Sequence, residues 1–183
     1  MQNIRTGEVV NDLNKPCDFS LYWCSRELGS AIYYFIFRGL PTYLIGLFIF
    51  HLEFSTNWRV WPVFLSCLIL GAVCGVVFRV ILNLTAFWIL EARSVIVLGV
   101  AIAQICTGSY IPVVFFPGWL AKLVSWLPFN GMMNLPAQVF LNKISGPTLL
   151  FALALQLGWL LMLIVIVHRI TAVATRRVVI QGG

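Results

Sequence analysis

PVVFFPGWLAKLVSWLPFNGMMNLP, from Pro112 to Pro136, is the stretch on which the reading of this chain turns. It lies between two long apolar runs, yet Pro112, Pro117, Pro128 and Pro136 cut it into pieces of two or three turns. A helix that crosses a bilayer needs about 20 consecutive apolar residues, so this segment cannot cross. Between Trp119 and Leu127 the apolar residues fall at 119, 120, 123, 124 and 127, one face of a helix, with Lys122 and Ser125 opposite. A short amphipathic helix flanked by Trp and Phe suits a membrane interface or a re-entrant hairpin. The plain alternative is a surface helix in a loop.

The surroundings of this stretch are those of a membrane protein. Of 183 residues 61% are hydrophobic and only 10% charged, against about a quarter charged in soluble domains. The mean hydropathy is +0.96. The net charge of +6 has no basic cluster longer than Arg176-Arg177 behind it, which argues against nucleic acid and for positive charge held at the cytoplasmic face. Met1 to Glu27 carries charges throughout and lacks the apolar core of a signal peptide. Cys17, Cys24, Cys67, Cys74 and Cys106 have no C-x-x-C spacing and read as small packing residues.

Outward from the opening stretch, the apolar runs predict an all-α integral membrane protein with four transmembrane helices, over about 31–52, 61–88, 95–114 and 147–167. Residues 31–183 form the transmembrane domain, with the hairpin over 115–146. Residues 1–30 form a polar segment with two short amphipathic helices. One opens at Thr6 or Gly7 and sets Val9, Val10 and Leu13 against Glu8, Asn11 and Asp12. The other follows an Asp18 N-cap and carries Phe19, Tyr22 and Trp23 on one face. They lie on the membrane, dock a partner, or form a solvated arm. Arg38 and Pro41 interrupt the first span, where Arg38 snorkels or faces the bundle and Pro41 is tolerated. The second holds Cys67, Gly71 and Gly75 at intervals of four, a stripe that lets another helix approach. The third offers Gly99, Ala103 and Thr107, with Gln104 as an interhelical hydrogen-bonding group or a cavity-lining one. After the hairpin a helix opens at Asn134 or Leu135, ahead of Pro136, and Ser145-Gly146-Pro147 turns the chain. The fourth span carries Ala154 and Gly158 with Gln156 between them, and the basic tail ends in a β-prone run.

Four spans put both termini on one side. With that side cytoplasmic, Arg5, Lys15, Arg26, Arg38, Arg79, Arg93, Arg169, Arg176 and Arg177 lie in or near it, and Arg59, Lys122 and Lys143 lie opposite. The hairpin then faces outward. No nucleotide-binding glycine motif, H-E-x-x-H or G-x-S-x-G occurs, and His51 and His168 fall on opposite faces. None of the six carboxylates lies mid-membrane, which argues against proton coupling and against an intramembrane enzyme. No side-chain cluster in the sequence marks a pocket, and no cofactor or metal is expected.

The P-x-x-F-F-P-G-W-L core after Gly108, the following L-P-F, the closing A-T-R-R-V-V-I-Q-G-G and the early I-R-T-G-E-V-V-N-D-L-N-K-P together resemble the last part of an ABC-2 type permease. The tail resembles one bacterial branch, which implies the bacterial inner membrane. The resemblance implies the membrane subunit of an ABC exporter, driven by ATP-binding cassette ATPase subunits on separate chains and paired with a second permease subunit in the lipid bilayer. It implies a short cytoplasmic coupling helix, here the region of Glu8, Val9, Val10, Asp12 and Leu13. It also implies a hairpin re-entering from outside, with Pro117, Trp119, Trp126 and Pro128 in it. Gly71, Gly75, Gly99 and Ala103 would serve helix packing. Substrates in the family include drugs, lipids and polysaccharides. Family members have six spans, so this chain reads as truncated or split at its N-terminal side. The alternative from another class is a non-transporting membrane scaffold or assembly protein.

Overall fold

The computed structural model describes residues 19–50, 58–89 and 92–181. These residues form helices and connecting turns, with no strand among them. In chain order the α-helices are α1 (Phe19–Tyr34), α2 (Leu40–Phe50), α3 (Val60–Leu84), α4 (Ala92–Cys106), α5 (Gly118–Trp126), α6 (Leu135–Phe140) and α7 (Gly146–Gln181). The expected helix over Glu8 to Leu13 and the Asp18 cap lie outside the described residues, as does the polar loop at 51–57.

Two of these helices, α3 and the Gly146–Ala174 part of α7, are long and apolar enough to cross a membrane. Only 33% and 22% of their most apolar windows are buried within the protein. The remaining apolar surface needs lipid or another chain against it. The core lies between them. Cys74, Val77, Val80 and Leu84 of α3 meet Leu160, Leu163 and Val167 of α7, and Trp23 of α1 closes the same cluster. Of the residues expected on one face of this helix, Trp23 is 3% exposed and Tyr22 is half-buried. Glu27 accepts a hydrogen bond from Asn83 Nδ2 at 3.3 Å, fixing α1 to the end of α3.

The expected break between a polar segment ending at residue 30 and a span starting at 31 is not a structural one. Helix α1 passes through a π-helical turn, Phe35–Gly39, directly into α2. The reason is Pro41. A proline within a helix lacks an N–H and its ring crowds the carbonyl four residues back, and a π turn widens the helix just ahead of it. There the Leu40 N–H donates to Phe35 O, and the Thr42 hydroxyl donates to Arg38 O at 2.7 Å. The device recurs in the second half: the π turn Asn130–Asn134 ends two residues before Pro136, with the Leu135 N–H donating to Asn130 O. From Ile32 to Ile49 the large apolar side chains of this bent helix are mostly exposed.

The third expected span is shorter than the apolar run that suggested it. Helix α4 has 15 residues and stops at Cys106, eight residues before the expected end. Gly108 takes φ +80°, and the amides of Gly108 and Ser109 donate to Ile105 O and Gln104 O, the pairing of a Schellman cap. Apolar character continues to Val114, but the backbone has already turned. Two of the four expected spans are therefore long apolar helices in this fold. The closing residues differ as well: the tail expected to be β-prone is helical through Gln181.

Candidate functional site: the hairpin between the two long helices

Residues 112–145 fold into a broken hairpin whose descending arm is α5 and whose returning arm is the Asn130–Asn134 π turn followed by α6. Pro117 starts α5 in extended geometry, its carbonyl accepting from the Leu120 and Ala121 amides. Pro128 is buried at the bend, and the next ring, Phe129, stacks edge-on against Phe78 of α3 at 5.2 Å. The returning arm then runs antiparallel to α3. Gly131 and Met132 meet Gly71, Leu135 and Val139 pack on Cys67, and Phe140 reaches Trp61 and Phe64. Asn142 takes φ 53°, and Lys143 N–H closes α6 by donating to Gln138 O.

Gly71 makes this approach possible. A Cβ there would stand 2.7 Å from both Gly131 O and Met132 O, so backbone lies directly on backbone. Gln156 of α7 clamps the junction: its Nε2 donates to Gly131 O and to Cys67 O, each at 2.9 Å. It is 4% exposed, and its Oε1 is buried without a hydrogen-bond partner. Gly131 in turn leaves room for the clamp, since a Cβ on it would lie 2.9 Å from Gln156 Cγ. Higher on the descending arm, the Trp159 indole donates to Trp126 O at 2.8 Å and the Trp126 ring meets Phe151 at 5.8 Å. One amide thus ties three segments together.

The other expected site residues are distributed unevenly around this junction. Gly99 takes a close neighbour, the Leu82 side chain at 2.8 Å from a Cβ, whereas Gly75 has nothing within 4 Å. Ala103 is buried. On α5 the buried side narrows to Val124 at 1% exposure, while Trp119 at 71%, Leu123 and Trp126 project outward. The coupling residues Glu8, Val9, Val10, Asp12 and Leu13 lie outside the described residues. Among the described residues no group of three or more His, Cys, Asp or Glu is placed to hold a metal.

The sequence reading missed two features. Gln156, rather than Gln104, ties the hairpin to α3 and α7, and its sign was a lone amide inside an apolar run. A cavity of about 530 Å³ lies between the hairpin and α7, although no pocket was expected. Its amide wall is spaced at 130, 134 and 138, one helical stripe.

The fold and this site define a helical membrane protein in which two long apolar helices hold a broken hairpin. A family model described as ABC-2 family transporter protein matches residues 1–182, and the chain belongs to that family. It is a membrane permease component of ABC transport, a kind of subunit that works with an ATPase and has no ATPase domain of its own. No curated protein and no solved structure matches the chain.

Proposed function

We propose that this chain is the permease subunit of an ATP-driven exporter, paired with a second permease subunit and powered by ATPase subunits on separate chains. The observation that carries the reading is the seating of the hairpin in a chain of this family. Gly71 lies eleven residues into α3, about 16 Å along the axis at 1.5 Å per residue. That is roughly half of a 30 Å hydrocarbon core. A hairpin that reaches this depth without crossing is a re-entrant one, entering from the face that holds Lys122 and Lys143. Its π turn and bend are tolerable there because Pro128 and Gly131 are buried and Gln156 satisfies the carbonyl of Gly131.

In this reading the termini are cytoplasmic, in a bacterial inner membrane. The bent helix α1–α2 and helix α4 complete a four-span arrangement with tilt and partner contacts. The exposed apolar side of residues 32–49 faces lipid, the second permease subunit, or two further spans supplied ahead of this segment or on another chain. The region of Glu8, Val9, Val10, Asp12 and Leu13 docks the ATPase. Helix α1, anchored by Trp23 between α3 and α7, passes that motion to the two long helices.

Affinity capture from membranes tests the proposal. The tagged chain is expected to bring down an ABC ATPase, and Val9→Glu, Val10→Glu and Leu13→Glu together are expected to release it while the chain still inserts. Capture of no ATPase by the intact chain would refute the exporter reading.

A further inference from the structure

The cavity between the hairpin and α7 has a wall unlike the rest of this apolar protein. Asn130, Asn134 and Gln138 stand one turn apart on the returning arm and all line it, with Gln156 opposite and the indoles of Trp126 and Trp159 beside them. No Asp, Glu, Lys or Arg contributes to the lining. At about 530 Å³ it falls within the range of small-molecule sites, roughly 300–1,000 Å³.

The hydrogen-bond inventory of that wall is incomplete in a particular way. Asn134 Nδ2 donates to Asn130 Oδ1 at 2.7 Å, which orients both amides and leaves the Asn130 NH₂ and the Asn134 carbonyl for other partners. Gln156 has committed its NH₂ to two backbone carbonyls, and its Oε1 is buried and unpartnered. Amide groups offer both donors and acceptors without charge, and indole faces offer flat apolar surface.

We propose that this cavity is a binding site for an uncharged, hydroxyl-bearing ligand with one apolar face, of the sugar or polyol type. Hydroxyl groups donate to Asn134 Oδ1 and accept from the Asn130 NH₂, and the apolar face lies against the tryptophans. An ion is disfavoured, because taking a charge out of water into a site with no counter-charge is costly. The ligand reaches the site from the outer side, either as a free solute or as the headgroup of a neutral lipid. That direction of entry rests on the orientation proposed above; binding itself does not.

Thermal unfolding of the purified full chain in lipid nanodiscs tests this, with methyl glucoside as the free probe and octyl glucoside as the membrane-borne one. Occupancy of the native state raises the transition temperature with ligand concentration. A rise with methyl glucoside that is lost in Gln138→Ala supports the site with a soluble source. A rise with octyl glucoside alone, again lost in Gln138→Ala, supports it with a lipid source. Gln138 is half-buried at the cavity wall, and Asn134→Leu serves as a second variant should the first fold poorly. No rise with either probe, or a rise of equal size in both variants, would overturn the proposal. The assay involves no ATPase, so its failure is distinct from failure of the exporter reading.

Discussion

Adding one methyl group at Gly71 is expected to loosen the hairpin from the long helices. In Gly71→Ala the added Cβ would stand 2.7 Å from Gly131 O and from Met132 O, whereas comfortable C···O contacts lie at about 3.3–3.6 Å. Both obstacles are backbone, so no rotamer change relieves them. The returning arm must retreat by roughly 0.6 Å, a gap that forfeits about a quarter to a half of the dispersion attraction across the contact. The same retreat stretches the Gln156–Gly131 hydrogen bond from 2.9 Å towards the point where it ceases to be one. Overpacking of this kind costs about 1–3 kcal/mol, and an interhelical hydrogen bond in a membrane protein is worth about 0.6 kcal/mol on average. The expected loss is about 2 kcal/mol, a fall in transition temperature of roughly 4–8 °C for a chain of this size. Thermal unfolding in detergent or nanodiscs reads it. Gly75→Ala is the internal control, one turn along the same stripe with nothing within 4 Å. It is expected to leave stability unchanged, or raise it by up to about 1 kcal/mol through helix propensity. Equal stability of the two variants would refute the backbone-on-backbone account of Gly71.

Gly99→Ala meets only the Leu82 side chain, which can turn aside, so a loss below about 1 kcal/mol is expected in the same assay. Gln156→Leu removes two buried hydrogen bonds and is expected to cost about 1–2 kcal/mol; in a double-mutant cycle with Gly131→Ala the losses should be non-additive, since the two residues touch. Trp23→Ala empties the anchor of α1 and is expected to cost about 3–5 kcal/mol, read as faster tryptic cleavage at Arg26 in the folded protein. Unchanged cleavage would contradict the anchoring role.

Much of the fold could be read from the residues because the bilayer imposes simple lengths. The runs at 61–88 and 147–167 lie on α3 and α7, although α7 continues to Gln181, and residues 112–136 with their four prolines form short broken helices. The failures have local causes. Gly108 follows Gly99 and Ala103 in one apolar run but serves a positive-φ cap, and composition alone does not separate that use from packing. Gly71 and Gly75 share one pattern; only the position of Gly131, sixty residues later, separates a close contact from open space. Arg38 and Pro41 suggested an imperfect span, and the π turn that accommodates the proline has no compositional sign. The cavity stayed hidden because its walls come from the hairpin and α7, and the stripe at 130, 134 and 138 acquires meaning only when Gln156 stands opposite.

Side-specific thiol labelling measures most directly whether the hairpin enters from outside, on which the exporter geometry depends. In a chain whose five cysteines are replaced by alanine, a single cysteine at Lys122, exposed on α5, is introduced and compared with one at Arg93, exposed at the start of α4. Lys122→Cys is expected to react with a membrane-impermeant reagent in intact cells, and Arg93→Cys only after permeabilisation. Labelling of Arg93→Cys from outside with Lys122→Cys protected would contradict the orientation, and with it the proposal that the hairpin re-enters from outside.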